Sequence, residues 1–397
     1  MKIAIYNYRE FNFNIGGIER VSVSLAKGLI DKGHDVIFVA VFKSQYKIDY
    51  KTPAPQFFLP NTDTCSKENV EKLREILMDQ KVDILLNQNS HSLDSHNLLH
   101  LASLNTNVKL FSALHFGPST RLLLYKHPID RNMFTFKENV LRTLKCIAYK
   151  WPFRQYFLRN QRYHYRKMYN ESEKVILLSD KFISEYSKIA GLHEYNKLCA
   201  INNVLSFKYE ELDMTKENRI MFCSRIESEK RPERALYVWK HIYKKLPDWK
   251  LDIVGDGTQL EKLKQLANRL KLERVVFHGF KKPRDFYMKS KIFLMTSDYE
   301  GWGLTLTEAM QYKCVPIALD TYASVYDIID NNKNGYIISG VDCRKMADKV
   351  YHLASKSKEL DKMAYSAFIK ASEFVPNVII DKWIEIKMRI FNHMPTR

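Results

Sequence analysis

Long apolar runs, closely spaced cysteines and paired aspartates are missing from this chain of 397 residues. Apolar runs such as residues 36–42 are far shorter than the about 20 residues that a membrane-spanning helix needs. The N-terminal apolar run ends at Asn7, so it lacks the core of a secretory signal. None of the six cysteines is close enough to another for a zinc knuckle or a Cys-x-x-Cys redox pair. We therefore expect a cytoplasmic chain, either soluble or peripheral on a membrane.

Positive charge is in excess and is concentrated in one segment. The sequence has 63 lysines and arginines against 45 aspartates and glutamates, a formal net charge of +18. Residues 121–170, called here the basic–aromatic stretch, hold twelve basic, two acidic and eleven aromatic residues. Tyrosine and tryptophan rings settle at the headgroup level of a bilayer, and basic side chains sit near its phosphates. The stretch therefore favours contact with an anionic membrane surface, ahead of a solvated basic face and, last, of a nucleic acid.

Short apolar, β-branched runs alternate with amphipathic helical runs, which indicates parallel α/β layers. In the first helical run, Val21, Leu25 and Leu29 share one face and Gly33 follows as a stop. The predicted strands form two series, 2–6, 35–42, 82–86, 108–114 and 174–179, then 219–223, 250–254, 275–279, 292–296, 315–318 and 336–338. Two such series predict two doubly wound, Rossmann-like domains in tandem.

The boundary between the two domains is expected in the polar, acidic segment 206–215. It separates an N-terminal domain of residues 1–205 from a C-terminal domain of residues 206–376. A last helical run, within residues 377–397, is expected to fold back on the first domain. Because open parallel sheets bind ligands beyond the carboxyl ends of their strands, the segments that follow the strands are the candidate sites.

A glycine loop follows the fourth strand of the second series and leads to a helix start near Leu304. Gly301 and Gly303 permit a phosphate to approach the backbone, and the first N–H groups of the helix would face it. Glu300 and Glu308 are eight residues apart, and a carboxylate accepts the two hydroxyl hydrogen bonds of a vicinal diol. The alternative for Glu308 is an acidic residue that complements the helix dipole.

Arg225 and Lys230 follow the first strand of the second series, five residues apart. An arginine fork matches phosphate oxygens and a lysine adds a point charge, so the pair is suited to a diphosphate. Surface ion pairs with Glu227 or Glu229 are the alternative. Asp-x-Asp is absent from the sequence, so no obvious carboxylate pair for a divalent metal accompanies these cations.

Three other places also follow predicted strands. Gly16 and Gly17 precede the first helix, where two glycines permit close backbone contact with an anion or form a simple tight turn. The Gly-Asp-Gly sequence at residues 255–257 lacks the third glycine of a dinucleotide fingerprint and is interpreted as a turn. His115 follows the strand at 108–114, where a histidine is as often packed against the backbone as it is functional.

Together, these segments resemble the retaining glycosyltransferases of the GT-B fold, family 4, over essentially the whole chain. The specific part is the Glu-x7-Glu pair in its glycine context, with Arg-x4-Lys upstream. The resemblance is carried by residues 16–19, 225, 230–232, 253–257, 276–280, 300–310 and 334–335. It implies a GT-B fold, in which two Rossmann-like domains face each other across a cleft.

The resemblance also implies a role for each site residue. Arg225 and Lys230 would hold the donor diphosphate and stabilise the leaving group. Glu300 would face the donor sugar, Glu308 would bond the ribose hydroxyls, and His115 matches the family histidine near the anomeric carbon. The other donor-binding residues that it implies are Gly16, Gly17, Asn203, Gly279, Phe280, Gly301, Gly303, Leu304 and Thr305.

The expected chemistry follows from charge. Breaking a sugar–phosphate bond builds negative charge on the diphosphate, and cations aimed at it favour the transition state. Arg225, Lys230 and the helix start supply that field, so we expect transfer without a metal or a cofactor. The resemblance implies retention by same-face attack, with no protein nucleophile. Departures from the family at residues 311–313 and at Ser224 bear on the identity of the donor.

The expected donor is a nucleotide sugar, with UDP favoured over GDP by family frequency alone. The expected acceptor is a glycan or lipid-linked glycan in bacterial surface polysaccharide or lipopolysaccharide synthesis. The basic–aromatic stretch would bring the enzyme to this acceptor by docking on the inner leaflet. An epimerase of the same fold is the first alternative, since it would turn over donor without acceptor. A basic nucleic-acid binder is the second, and we expect no such partner because it leaves the glycine and carboxylate pattern unexplained.

Overall fold

The computed structural model describes residues 1–13, 16–43, 50–123 and 154–391, together with residues 138, 140, 141, 143, 144 and 147. The chain forms two compact units. Unit 1 comprises residues 1–119, 158–206 and the C-terminal segment from Phe374, and unit 2 comprises residues 207–373 and 120–157. Much of the basic–aromatic stretch, between residues 124 and 153, lies outside the described residues.

In its described part, unit 1 contains a seven-stranded parallel sheet of order β3-β2-β1-β4-β5-β6-β7. The strands are β1 Lys2–Arg9, β2 Asp35–Phe42, β3 Gln56–Phe58, β4 Ile84–Asn87, β5 Lys109–Leu114, β6 Lys174–Leu177 and β7 Leu198–Ala200. The helices up to β7 in the chain are α1 Gly17–Asp31, α2 Lys67–Asp79, α3 Leu93–Ser103, α4 Thr120–Leu123, α5 Arg154–Glu171 and α6 Lys181–Ala190, of which α4 and the first turn of α5 belong to unit 2. In β1, Ile5 pairs with Phe38 on one side and with Leu86 on the other. Strands covered on both faces need continuous apolar runs, as β1 and β2 have.

The described part of unit 2 contains a six-stranded parallel sheet of order β10-β9-β8-β11-β12-β13. The strands are β8 Arg219–Cys223, β9 Lys250–Val254, β10 Val275–Phe277, β11 Ile292–Met295, β12 Val315–Leu319 and β13 Tyr336–Ile338. The helices after β8 are α7 Pro232–Ile242, α8 Leu260–Arg269, α9 Arg284–Lys289, α10 Leu304–Gln311, α11 Val325–Ile328, α12 Cys343–Ser355, α13 Ser357–Ala371 and α14 Pro376–Phe391. Proline is the first residue of α7, where its missing N–H is harmless.

The C-terminal helix α14 packs on α1 within unit 1. Gly28 of α1 lies so close to Ile380 that a Cβ added there would be 2.5 Å from Ile380 Cγ1. Lys32 Nζ is 2.7 Å from Asp381 Oδ1, and Lys382 donates to the Asn202 side chain at 3.2 Å. The glycine therefore permits the close crossing of the two helices.

The sequence predicted the long strands of both sheets but missed two short ones. The strands β3 and β7 have three residues each and pair at the two edges of the unit 1 sheet. β4 begins at Ile84 instead of at residue 82, and the carboxylate of Asp83, just before it, accepts from the Lys2 backbone N–H at 2.8 Å. The chain has the α/β architecture of two parallel sheets with alternating helices. Within the described ranges, none of the helices has both the length and the apolar character needed to cross a bilayer.

Candidate active site

Lys230 and Glu300 meet at the carboxyl edge of the unit 2 sheet. They lie in the loops after β8 and β11, two strands that are neighbours in the ladder. Lys230 Nζ is 2.7 Å from Glu300 Oε1 and 2.9 Å from Oε2, and the Ser297 hydroxyl donates to Oε1 at 2.7 Å. The two side chains are 17% and 13% exposed. A cation and a carboxylate are thus held together at the surface of the edge where parallel sheets bind ligands.

The backbone also joins these two loops. The Thr296 hydroxyl lies 3.1 Å from the carbonyl oxygen of Lys230 and 3.0 Å from that of Arg231. The Asp298 N–H donates to the Glu229 carbonyl at 2.9 Å. These hydrogen bonds join residues 229–231 to residues 296–298 and so fix the position of the Lys230–Glu300 pair.

A buried charge cluster adjoins this pair in the same two loops, and it was not among the residues that the sequence singled out for the site. Asp298 binds Arg231 Nε through Oδ2 at 2.5 Å and Arg234 Nη2 through Oδ1 at 2.5 Å. Arg234 Nη1 donates to the Thr296 carbonyl at 2.7 Å, and Arg231 Nη1 lies 3.3 Å from Glu233 Oε1. Arg231 has φ of 50°, a left-handed conformation that costs a non-glycine residue roughly 1–2 kcal/mol. The signal available was the Arg-Pro-Glu-Arg sequence after Lys230, but it does not identify the distant Asp298 as the partner.

Arg225 lies in the same loop but adopts the alternative that the sequence left open. Its Nη2 is 2.9 Å from Glu229 Oε1, and its side chain is 71% exposed. Glu227 instead accepts from Thr258, at 3.0 Å from the backbone N–H and 2.6 Å from the hydroxyl. The Arg225 guanidinium is therefore on the surface of the loop that carries Lys230, and an ion pair of so exposed a side chain contributes little stability.

The glycine loop leads into α10 as the sequence predicted. Gly303 is the N-cap of α10, with φ of +92°, and Leu304 is the first helical residue. A side chain at Gly303 would be strained in this left-handed region. The first N–H groups of a helix have no intrahelical acceptor, so those of Leu304 and Thr305 are oriented for an anion.

Glu308 is fully buried within α10, whereas Glu300 reaches the surface. The Tyr287 hydroxyl donates to Glu308 Oε2 at 3.1 Å. The two carboxylates that the sequence singled out therefore lie at different depths, and Glu308 has no exposed surface in this form of the protein.

The loop after β9 is more than the turn that the sequence suggested. Gly255 has φ of +138°, and a Cβ there would be 1.8 Å from the Ser224 carbonyl oxygen. A Cβ on Gly257 would be 2.6 Å from the Ile226 carbonyl oxygen. These glycines let the loop after β9 pack directly against the backbone that carries Arg225. The Gly255 N–H also donates to Gly279, which is followed by Phe280 with a 76% exposed ring.

The remaining predicted residues lie at the carboxyl edge of the unit 1 sheet. His115 follows β5, and its Nε2 bonds the Gln88 Oε1 after β4. Burial lowers the pKa of His115 to about 4, so its imidazole is neutral near pH 7. Gly16 and Gly17 are the N-cap and first residue of α1, and Asn203 is buried after β7.

Gly16 lies against a neighbouring carboxylate. A Cβ at Gly16 would be 2.4 Å from Glu19 Oε2, and Glu19 Oε1 accepts from Asn7 Nδ2 at 3.1 Å. The structure thus brings Lys230, Glu300, Arg225 and the α10 start together in unit 2, and places His115, Gly16, Gly17 and Asn203 in unit 1. Among the described residues, no group of three or more His, Cys, Asp or Glu side chains is placed to hold a metal ion.

Comparison with known proteins identifies the family. The model for glycosyl transferases group 1 matches residues 207–369, and the model for glycosyltransferase family 4 matches residues 15–206. The chain belongs to the group 1 glycosyltransferases and has their two-domain GT-B fold.

Relatives of known name are similar over most of their length. The amylovoran biosynthesis glycosyltransferase AmsD of Erwinia amylovora is 25% identical over 94% of this chain and 96% of its own. A Campylobacter jejuni enzyme that adds N-acetylgalactosamine to an undecaprenol-diphosphate-linked glycan is 22% identical over 96% and 97%. The crystal structure of Anabaena HepE with UDP and glucose has a TM-score of 0.74 at 16% identity, covering 98% of this chain and 100% of HepE.

Proposed function

We propose that this glycosyltransferase moves a sugar from a UDP-sugar to a hydroxyl of a lipid-linked or polysaccharide acceptor in bacterial surface glycan synthesis, with retention of anomeric configuration. The observation that carries the proposal is the Lys230–Glu300 pair beside the start of α10. The uridine nucleotide is supported by the UDP complexes of similar fold, HepE and TarM. The acceptor class is supported by the names of the relatives from Erwinia and Campylobacter.

The charges of unit 2 support departure of a nucleoside diphosphate. A diphosphate at the start of α10 would compete with Glu300 for the Lys230 ammonium, and the freed Glu300 could then accept hydroxyl hydrogen bonds from the sugar. Arg225 would turn from Glu229 to the same phosphates, a change that costs little because the Arg225 side chain is 71% exposed. Cations and helix N–H groups would stabilise the negative charge as the glycosidic bond breaks. The acceptor then attacks from the same face, and a phosphate oxygen takes its proton.

Donor turnover with and without acceptor tests this reaction. Wild-type protein is incubated with a panel of UDP- and GDP-sugars, and with undecaprenol-diphosphate-linked glycans as acceptors. We expect transfer that depends on acceptor, with an unchanged anomeric configuration in the product by NMR. Conversion of the donor to an epimer without acceptor would favour an epimerase, and an inverted product would exclude retention.

We propose further that transfer needs no metal. The support is that Lys230, Arg225 and the α10 start supply positive charge without one. Activity should be the same in an excess of EDTA as with added Mg²⁺ or Mn²⁺. Loss of transfer in EDTA, restored by one of these ions, would contradict this point.

The acceptor and the membrane are linked in this proposal, which places the enzyme on the cytoplasmic face of the membrane. In α5, the described end of the basic–aromatic stretch, Tyr156 and Tyr163 are 61% and 59% exposed, and Arg154 and Arg159 are also exposed. Exposed arginine beside exposed tyrosine suits an anionic headgroup layer.

A vesicle test separates this surface from a solvated basic face. We expect sedimentation with phosphatidylglycerol vesicles at low salt, weaker sedimentation at high salt, and little with phosphatidylcholine alone. The double variant Arg154→Glu/Arg159→Glu should bind less, while Lys264→Glu on α8 of unit 2 should behave as wild type. Equal, weak binding to both vesicle types would contradict the proposed membrane contact.

A further inference from the structure

The loop after β12 reaches the glycine loop with three hydroxyl side chains. The Thr321 hydroxyl donates to the Ser297 carbonyl at 2.7 Å. The Ser324 hydroxyl donates to the Gly301 carbonyl at 2.9 Å. These two bonds fasten the loop after β12 to both ends of the segment that carries Glu300. Tyr322 is the third hydroxyl residue of this loop, and it differs from the other two.

The Tyr322 hydroxyl is buried and has no hydrogen-bond partner among the described residues. The whole residue is 7% exposed. Its oxygen lies 3.3 Å from the position that a Cβ on Gly303 would occupy, which places it against the N-cap of α10. Buried hydroxyls almost always have a partner, so an unbonded one at this place calls for an acceptor that the protein alone does not provide.

The surroundings of Tyr322 indicate the chemistry of its missing hydrogen-bond acceptor. Burial raises the pKa of Tyr322 well above its ordinary value, with Glu300 adding to the effect, so the hydroxyl keeps its proton. A protonated phenol beside Glu300, whose carboxylate is already held by Lys230 and Ser297, has a hydrogen bond to donate. The start of α10 attracts an anion to the same place. A phosphate oxygen meets both needs, because it accepts a hydrogen bond from the phenol and carries the negative charge that the helix start attracts.

We propose that Tyr322 donates a hydrogen bond to a phosphate oxygen of the nucleoside diphosphate held at the start of α10. This inference rests on the proposed function and assigns a further binding residue to the same site. Because the hydroxyl has almost no exposed surface here, the contact requires the glycine loop at residues 301–303 to shift when the ligand binds. Gly303 has no side chain, so no Cβ adds to the groups that this shift must move.

Tyr322→Phe removes the hydroxyl oxygen alone, and UDP binding by calorimetry is the direct test. We expect UDP affinity to fall by about tenfold or more, the effect of losing a hydrogen bond to a charged group. Uridine binding should stay unchanged, because it lacks the phosphates. The matched control is Tyr351→Phe, on the exposed surface of α12, which should bind UDP as wild type does.

Thermal unfolding of the unliganded variant adds a second readout. Tyr322→Phe should melt at the wild-type temperature or slightly above it, because no bond is lost. A lower melting temperature would show a hydroxyl partner within the protein and would overturn the proposal. So would wild-type UDP affinity in Tyr322→Phe, or a loss seen with UDP-sugar but not with UDP. If wild-type protein binds neither UDP nor GDP, the proposed function itself fails.

Discussion

At the carboxyl edge of the unit 2 sheet, several buried or half-buried polar side chains are charged and paired. At the same edge of the unit 1 sheet they are mostly neutral amides, hydroxyls and imidazole. The unit 2 edge holds Lys230 with Glu300 and Asp298 with two arginines. The unit 1 edge holds Asn87, Gln88, Asn89, Ser90, His115 and Asn203. Two sheets of one architecture therefore present two kinds of surface.

The contrast fits the proposed function, in which the two units bind different parts of the substrates. Paired charges can exchange partners with an incoming anion, which suits unit 2 for a diphosphate. Neutral donors and acceptors match sugar hydroxyls without attracting or repelling charge, which suits unit 1 for a glycan. Glu19 is a charged exception at the unit 1 edge, and its bond to Asn7 holds it beside Gly16.

The largest effect on activity is expected when the Lys230 ammonium is removed from the charged edge of unit 2. Lys230→Ala should lower the transfer rate by on the order of 10²–10³, the usual cost of losing one electrostatic donor to a transition state. Lys264→Ala, which breaks a surface pair with Glu261, is the control and should leave the rate unchanged. Steady-state kinetics with a UDP-sugar measures both. Undiminished transfer by a correctly folded Lys230→Ala protein would show that Lys230 is not part of the active site.

The buried cluster beside that pair should govern stability. Asp298→Asn leaves two buried arginines without their shared carboxylate, so the free energy of unfolding should fall by about 3–5 kcal/mol. Urea titration followed by circular dichroism measures this change, with Glu261→Gln on the surface of α8 as the control. A loss below 1 kcal/mol, on the order of a surface pair, would mean that the cluster is open to water.

Unit 1 should respond to acid through two neutral histidines, His115 after β5 and His96 within α3. Burial lowers the pKa of both His96 and His115 to about 4 from an ordinary value of 6.5. The unfolded chain then binds protons that the folded chain does not, so stability is complete above about pH 6.5 and falls as the pH drops towards 4. NMR titration of labelled histidines should show both rings still neutral at pH 5.5. A midpoint near 6.5 for His115 would show it to be exposed, and the neutral character of the unit 1 edge would be lost.

The features of the two sheet edges that the sequence predicted are formed by residues close together in the chain. Strand, glycine loop and helix follow one another within about fifteen residues in both the Gly16 and the Gly303 segments, so composition and periodicity were enough to find them. The strands β3 (Gln-Phe-Phe) and β7 (Leu-Cys-Ala) contain no β-branched residue and were missed, whereas β10 and β13 are equally short but contain valine or isoleucine and were predicted. The pairing of β3 and β7 is set by the neighbouring strands of the sheet.

The partners within the site were not predictable, because they are far apart in the chain. Lys230 and Glu300 are 70 residues apart, and Asp298 is 67 from Arg231. The family pattern indicated candidate residues of the site, but not that the Tyr322 hydroxyl would lie against Gly303. Contacts of that kind depend on how the loops after different strands pack.

Gly28→Ala is the smallest of the expected effects and reports on unit 1 alone. Alanine normally stabilises a helix interior by about 1 kcal/mol over glycine, but here its Cβ would meet Ile380 at 2.5 Å. Overpacking of this kind typically costs about 1–3 kcal/mol, so we expect a net loss or no gain in the free energy of unfolding. Lys27→Ala, one residue away and exposed, is the control. UDP affinity should be unchanged, because the crossing of α1 and α14 contains none of the unit 2 charges. A gain of stability with Gly28→Ala would show that α14 lies further from α1 than the close crossing requires.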